Sequence, residues 1–240
     1  MGHLLLEGGA EFGGRMRDPD QKAIELAGGV EAPIRIIPTA AAPDNNHQRA
    51  GNNGIRWFQS LGARDVISVP LIDKMSASDE AIAKSLRGAK LIYMLGGFTG
   101  YLGETLKGSP AWEAVLEAYR DGAVVAGSSA GAMVMCEFYY DLNHGQVVEG
   151  LNLVPNSIVL PHHNTFGKSW ASRLLEIVQV TLIGIDEQTG MLDDGAQTWT
   201  VYGRGGVTLY QNRQVETYEA GKAFSVKNKV TVIFAPPEAS

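Results

Sequence analysis

The chain has 240 residues, 45% of them hydrophobic and 19% charged, which suits an α/β domain with ample material for a core. Its net charge of −6, without a basic cluster, argues against nucleic acid and anionic membranes as partners. A lone cysteine, Cys136, excludes an internal disulfide and fits a reducing compartment. Residues 3–6 form a short apolar run that ends in Glu7-Gly8-Gly9, a strand stopped by a glycine turn. A short helix is expected over 23–27, a strand over 34–39, a helix over 47–61 and a strand over 66–70. Residues 76–86 read as a helix with Asp79 and Glu80 in its first turn, where the dipole favours acids. Residues 91–95 (LIYML) are a fourth strand, running into Gly96-Gly97-Phe98-Thr99-Gly100. Trp112, Val115, Leu116 and Tyr119 share one face of a helix over 110–120.

Residues 137–149 read as polar and irregular, 157–160 as a strand ending in Pro161-His162-His163. A helix over 168–178 places Ala171, Leu174, Leu175 and Val178 inward, and a strand follows over 182–186. From Gly190 onward the texture changes to short alternating runs, 198–202, 207–210, 215–218 and 230–234, expected to form β-hairpins. Apolar strands alternating with helices imply a mostly parallel sheet covered on both faces, with ligands at the carboxyl ends of its strands. The opening MGHLLLEGGAEFGG lacks the basic segment and long apolar run of a leader, and no run reaches the roughly 18 apolar residues of a membrane helix. The expected location is the cytoplasm.

The chemistry centres on residues 121–136, DGAVVAGSSAGAMVMC. A buried strand, a tight turn and a helix of small residues surround Gly127-Ser128-Ser129-Ala130-Gly131, a G-x-S-x-G pentapeptide. Such a turn pushes the central side chain out of the backbone, and its glycines remove Cβ atoms that would collide. The helix start aims free N–H groups at the same spot, suited to a developing oxyanion. Ser129 is therefore the candidate nucleophile, with backbone N–H groups of Ala130 and Gly97 as oxyanion donors.

A serine hydroxyl needs a base. Of His3, His47, His144, His162 and His163, the last two sit at a strand's carboxyl end, on the edge expected to hold Ser129. Neighbours at a strand end point opposite ways, so one of the pair faces the serine. A carboxylate should orient it. Glu137, Asp141 and Glu149 lie between serine and histidine, and Asp186 and Glu187 end the next strand within reach of the site. The last histidine stands only 34 positions after Ser129, unlike α/β-hydrolases, whose histidine lies near the C-terminus. Cys136, beside Met133 and Met135, reads as a core residue rather than a thiol nucleophile.

Taken together, these pieces resemble the serine peptidases that include aspartyl dipeptidase (dipeptidase E) and cyanophycinase, built on a fold like class I glutamine amidotransferases with flavodoxin-like layering. The resemblance rests on Gly96-Gly97-Phe98-Thr99, the elbow 127–132 (GSSAGA), 150–155 (GLNLVP), Pro161-His162 and 183–189 (IGIDEQT), in family order over roughly 1–210. It implies a single peptidase-like domain over 1–240, β-rich over 190–240. It implies Ser129 as nucleophile, His162 as base, Gly97 as the oxyanion glycine, and Asp141 as the acid, with Glu149 as the alternative. His163 stands where relatives usually carry phenylalanine, and the family's arginine-rich segment after the histidine is replaced by Asn164-Thr165-Phe166-Gly167-Lys168. Phe98, Thr99, His163, Glu187 and Arg173 are candidate substrate-binding residues, and Lys168, Arg173, Arg15 and Arg17 are candidate cations for an aspartyl carboxylate.

The expected function is a serine-type exopeptidase for small peptides, with aspartyl or β-aspartyl bonds as candidate targets. No metal or organic cofactor is implied. The expected partner is a small peptide, with a homodimer left open. The alternative is a small-molecule amidase or esterase, or a catalytically silent binding protein on the same fold.

Overall fold

The computed structural model describes residues 1–195, 198–211 and 214–225. Its centre is built by the short apolar runs. Strand β1 (His3–Glu7) leads through helix α1 (Arg17–Leu26) to β2 (Ile34–Ile37), then through α2 (His47–Ser60) to β3 (Val66–Ser68). Helix α3 (Glu80–Arg87) precedes β4 (Leu91–Met94), and α4 (Thr99–Leu106) and α5 (Pro110–Arg120) precede β5 (Val124–Ser128) and α6 (Ala130–Met135). The five strands pair in parallel in the order β1-β5-β4-β2-β3. Alternate residues feed two layers, because side chains on a strand point to opposite faces. Leu4, Leu6, Ile92, Met94 and Val125 pack with α3, α4 and α5 residues, including Leu86, Leu102 and Trp112. Leu5, Ile34, Ile36, Tyr93 and Val124 pack with Ile24 of α1 and Phe58 of α2.

The second half departs from expectation in three places. Residues expected to be irregular form a hairpin, β6 (Phe138–Asp141) with β7 (Gln146–Glu149). Buried Tyr139 and Tyr140 anchor it, with Phe138, Val147 and Val148 partly buried against the core and Gln146 and Glu149 exposed. Strand β8 (Ser157–Leu160) does not join the central sheet. It pairs in parallel with β9 (Thr181–Ile185), which follows helix α7 (Lys168–Ile177). A further strand, β10 (Thr189–Asp193), turns back antiparallel on β1.

The C-terminal hairpins divide between two sheets. Strand β11 (Thr198–Gly203) extends the central sheet beyond β10. Strand β12 (Gly206–Gln211) pairs with β9, and β13 (Gln214–Glu219) with β12. Strand β14 (Ala223–Ser225) returns to edge β11. The result is an eight-stranded, mostly parallel sheet flanked by helices, beside a four-stranded sheet in the order β13-β12-β9-β8. The expected run over 230–234 lies outside the described residues. In α7, Ala171 and Leu174 are buried but Leu175 is 46% exposed. The helix covers one face of a narrow sheet, so its buried seam is thinner than its apolar stripe.

Candidate active site

The elbow is held by close backbone packing. A Cβ on Gly127 would stand 2.4 Å from the Gly131 carbonyl carbon, and one on Gly131 would stand 2.3 Å from Met94 O. Between them Ser129 adopts φ 49° and ψ −109°, a region that costs a non-glycine residue about 1–3 kcal/mol. Neighbouring bonds oppose that strain: the Ser129 N–H donates to Glu7 O (3.0 Å), and the Met133 N–H donates to Ser129 O (2.9 Å). The Gly96-Gly97 turn lies alongside. A Cβ on Gly96 would stand 3.2 Å from Ser129 Cβ. Gly97 has φ +139°, and a Cβ there would stand 2.3 Å from Ala40 O, which accepts the Phe98 N–H at 2.8 Å. The Ala130 N–H belongs to the first turn of α6 and has no carbonyl acceptor within that helix.

The histidine arrives from the other sheet. Just beyond β8, His162 takes a left-handed conformation, φ 50° and ψ 39°, and its N–H donates to Gly8 O at 2.7 Å. This bond joins the carboxyl end of β8 to that of β1, which explains how a strand outside the central sheet still delivers its histidine to the serine. Gly9, at φ +111°, passes directly over the imidazole, and a Cβ there would stand 2.3 Å from His162 Cε1. Phe166 stacks with the ring, centroids 4.8 Å apart. Between these two surfaces His162 Nε2 lies 3.1 Å from Ser129 Oγ, and His162 Nδ1 lies 2.7 Å from Glu187 Oε1.

The carboxylate on His162 is thus Glu187, expected within reach of the site and as a substrate-binding residue, and not Asp141 or Glu149. Its backbone N–H donates to Asn164 Oδ1 (2.9 Å), so the loop after His162 clasps the turn that carries Glu187. Asp141 is instead bonded to His144, Oδ2 to Nδ1 at 2.6 Å, in the β6–β7 hairpin. Glu149 is exposed and pairs with Lys107 at 2.9 Å. Both expected acids fail for one reason: the hairpin they occupy packs away from the histidine, and spacing along the chain does not report that.

The substrate-binding expectations divide. Phe98 is partly exposed and lines a cavity of about 610 Å³ together with Gly96, Gly97, Glu11 and Trp57. Thr99 opens α4, its hydroxyl 3.6 Å from Met133 Sδ. His163 points away from the serine and is buried, with Nε2 2.8 Å from Tyr210 Oη and Nδ1 3.4 Å from Asp186 Oδ1. Burial lowers its pKa against the opposing pull of Asp186. Arg173 donates to Gly145 O at 3.1 Å and lies over the Tyr140 ring, so it braces the hairpin. Arg15 pairs with Asp18 at 2.9 Å. Gly9, Asn164 and Phe166 were missed; the glycine pair after β1 was the one legible signal among them.

Beneath the elbow lies a second group of acids. Glu7 and Asp20 are both fully buried. Tyr93 Oη donates to Glu7 Oε2, and Trp57 Nε1 donates to Asp20 Oδ2 at 2.7 Å. Burial, reinforced by the charge of Asp20, raises the Glu7 pKa well above the usual carboxylate range, and burial lifts Asp20 to about 7. Burial also pushes the Cys136 thiol up to about 12, which leaves it inert. Among the described residues no group of three or more His, Cys, Asp or Glu is placed to hold a metal, and no helix is long and apolar enough to cross a membrane.

The chain matches peptidase family S51 over residues 4–199. A cyanophycinase from Geminocystis herdmanii (strain PCC 6308) is 28% identical over 236 residues, covering 91% of this chain and 84% of that protein. A cyanophycinase from Thermosynechococcus vestitus is 27% identical over 229 residues, covering 89% and 69% respectively. Among solved structures, a peptidase from an acI-B1 Actinobacterium superposes with a TM-score of 0.85 at 29% identity, covering 94% of this chain and 97% of that one. A putative peptidase E protein from Listeria monocytogenes EGD-e superposes with a TM-score of 0.62 at 21% identity, covering 92% and 100%, a likeness of fold.

Proposed function

The chain belongs to peptidase family S51 and is a peptide hydrolase; on that premise we propose that it is a serine-type exopeptidase for small peptides, working through Ser129, His162 and Glu187. The observation that carries this reading is the continuous line Ser129 Oγ, His162 Nε2, His162 Nδ1, Glu187 Oε1, with steps of 3.1 and 2.7 Å across the two hydrogen bonds.

Glu187 accepts from the Nδ1–H and holds the tautomer that leaves Nε2 free to accept a proton. As Ser129 Oγ attacks the peptide carbonyl, its proton passes to Nε2. The imidazolium formed is stabilised by the Glu187 carboxylate, and the Ala130 and Gly97 N–H groups receive the oxyanion. Nε2 then protonates the leaving amine, the C–N bond breaks, and water repeats the sequence to release the acyl group from Ser129. Phe166 and Gly9 keep the ring from rotating out of line between these steps.

Two relatives are named cyanophycinases, and this supports aspartyl or β-aspartyl bonds as the substrate class. The test is a panel of α-aspartyl, β-aspartyl and neutral dipeptides with wild type, Ser129→Ala and Glu187→Gln. The expected result is selective cleavage of the aspartyl members, abolished by Ser129→Ala and reduced by about 10³-fold or more in kcat by Glu187→Gln. Turnover of simple esters or amides with dipeptides ignored would overturn the peptide reading. Full activity in Ser129→Ala would remove the serine.

A further inference from the structure

We propose that Glu11 binds the free α-ammonium of the substrate's acyl residue, which confines hydrolysis to the first residue of an unblocked peptide. The inference rests on the serine-peptidase reading and adds which end of the peptide is attacked.

Glu11 lies just past the glycine turn that follows β1 and contributes to the wall of the 610 Å³ cavity beside Gly96, Gly97 and Phe98. One of its oxygens is engaged: Oε2 accepts from the hydroxyl of Ser128, the residue before the nucleophile, at 3.0 Å. The other borders the reaction centre. The position a Cβ on Gly96 would occupy is 3.1 Å from Glu11 Oε1 and 3.2 Å from Ser129 Cβ. Because residue 96 is glycine, no side chain stands there between the Glu11 carboxylate and Ser129 Cβ.

The geometry suits one group in particular. In a peptide poised for attack the carbonyl carbon stands about 3–3.5 Å from the serine oxygen. The α-nitrogen of the same residue is two bonds from that carbon in an α-linked peptide and three in a β-aspartyl one, so whatever binds it must stand close to the nucleophile, as Glu11 does. A side-chain amine would project several bonds further into the cavity. The charge agrees. Among the described residues no lysine, arginine or histidine forms an ion pair with Glu11, and its negative charge adds to the field on Glu7 and Asp20 beneath it. Arg56, the cationic residue of the cavity wall, is bonded to Asn53 Oδ1 and makes no ion pair with Glu11, and a half-buried carboxylate without an ion-pair partner favours a cationic ligand.

The experiment compares dipeptides carrying a free amine with their N-acetyl forms. In wild type, kcat/KM is expected to favour the free amine by about 30-fold or more, the scale of one charge-assisted hydrogen bond. Glu11→Gln keeps the side chain's shape and an oxygen for Ser128, and is expected to collapse that ratio toward one, chiefly through KM of the free-amine substrate. Equal cleavage of both forms by wild type, or an unchanged ratio in Glu11→Gln, would overturn the proposal and leave Glu11 as a structural partner of Ser128. Labelling of Ser129 by a neutral fluorophosphonate reads the nucleophile separately. If nothing is labelled or cleaved, the peptidase reading fails, and the ammonium site is then read by calorimetric titration of Ser129→Ala. There the free dipeptide should bind at least about tenfold more tightly than the acetylated one, and equal affinities would overturn the site as well.

Discussion

At the scale of single residues, the serine and histidine announce themselves through backbone that few residues tolerate. Ser129 and His162 both hold positive φ, 49° and 50°, and each is surrounded by the glycines that make this feasible. The acid has no such local mark. Asp141→Asn is expected to leave turnover within about twofold of wild type, because its partner is His144 on an exposed hairpin. Glu187→Gln removes the charge facing the imidazolium, and the contrast between the two variants in one kinetic assay identifies the orienting carboxylate. Gly9→Ala is a sharper test of the cradle. Its Cβ would meet the imidazole at 2.3 Å, so the ring must move, and kcat/KM is expected to fall by about 100-fold or more. Unchanged kinetics in that variant would mean the ring is free to shift without loss.

At the scale of elements, periodicity located the helices and capping decided where they begin. The sequence reading put Asp79 inside the first turn of a helix over 76–86. The structure ends a short 3-10 turn at Ser78 and starts α3 at Glu80. Asp79 is the cap, its carboxylate accepting from the Ala81 N–H at 2.7 Å. Asp79→Ala is expected to lower stability by about 1 kcal/mol without altering kcat, measured by denaturant unfolding alongside the dipeptide assay. The β6–β7 hairpin reads as irregular in sequence because both faces of β6 are covered, Tyr139 packing on one side and Tyr140 on the other, so no alternation marks the strand. Their burial depends on α4, α6 and Trp170 arriving from elsewhere in the chain.

At the scale of the whole molecule, the buried Glu7–Asp20 pair links stability to pH. Asp20 titrates near 7 in the folded protein and near 3.9 in an unfolded chain. Between those values the folded state holds a proton that the unfolded state has released. Stability therefore falls as pH rises from about 4 to about 7. The raised Glu7 pKa acts in the same direction. Asp20→Asn keeps an acceptor for Trp57 and carries no charge, so it is expected to flatten this slope and to raise stability at pH 8 by on the order of 2 kcal/mol. Thermal unfolding of both proteins from pH 4 to pH 8 checks it, and parallel slopes would show that the Asp20 carboxyl does not hold a raised pKa in the folded protein.

The features legible in the primary structure were local. Apolar runs specified the parallel strands, small residues around Ser129 specified the elbow, and a strand end specified the place of the His162-His163 pair. Each follows from the allowed backbone and the burial of a few contiguous residues. The company these residues keep depends on how distant elements dock. Strand β8 belongs to a second sheet, and its histidine reaches Ser129 because the two sheets meet at Gly8 and Gly9. That docking brings Glu187 within 2.7 Å of His162 and turns His163 toward Tyr210. Asp141, 21 positions before the histidine, is carried off on a hairpin, while Glu187, 25 positions after it, is brought back. Separation along the chain limits how far apart two residues lie, but the direction in which each one faces is set by the surfaces its element packs against.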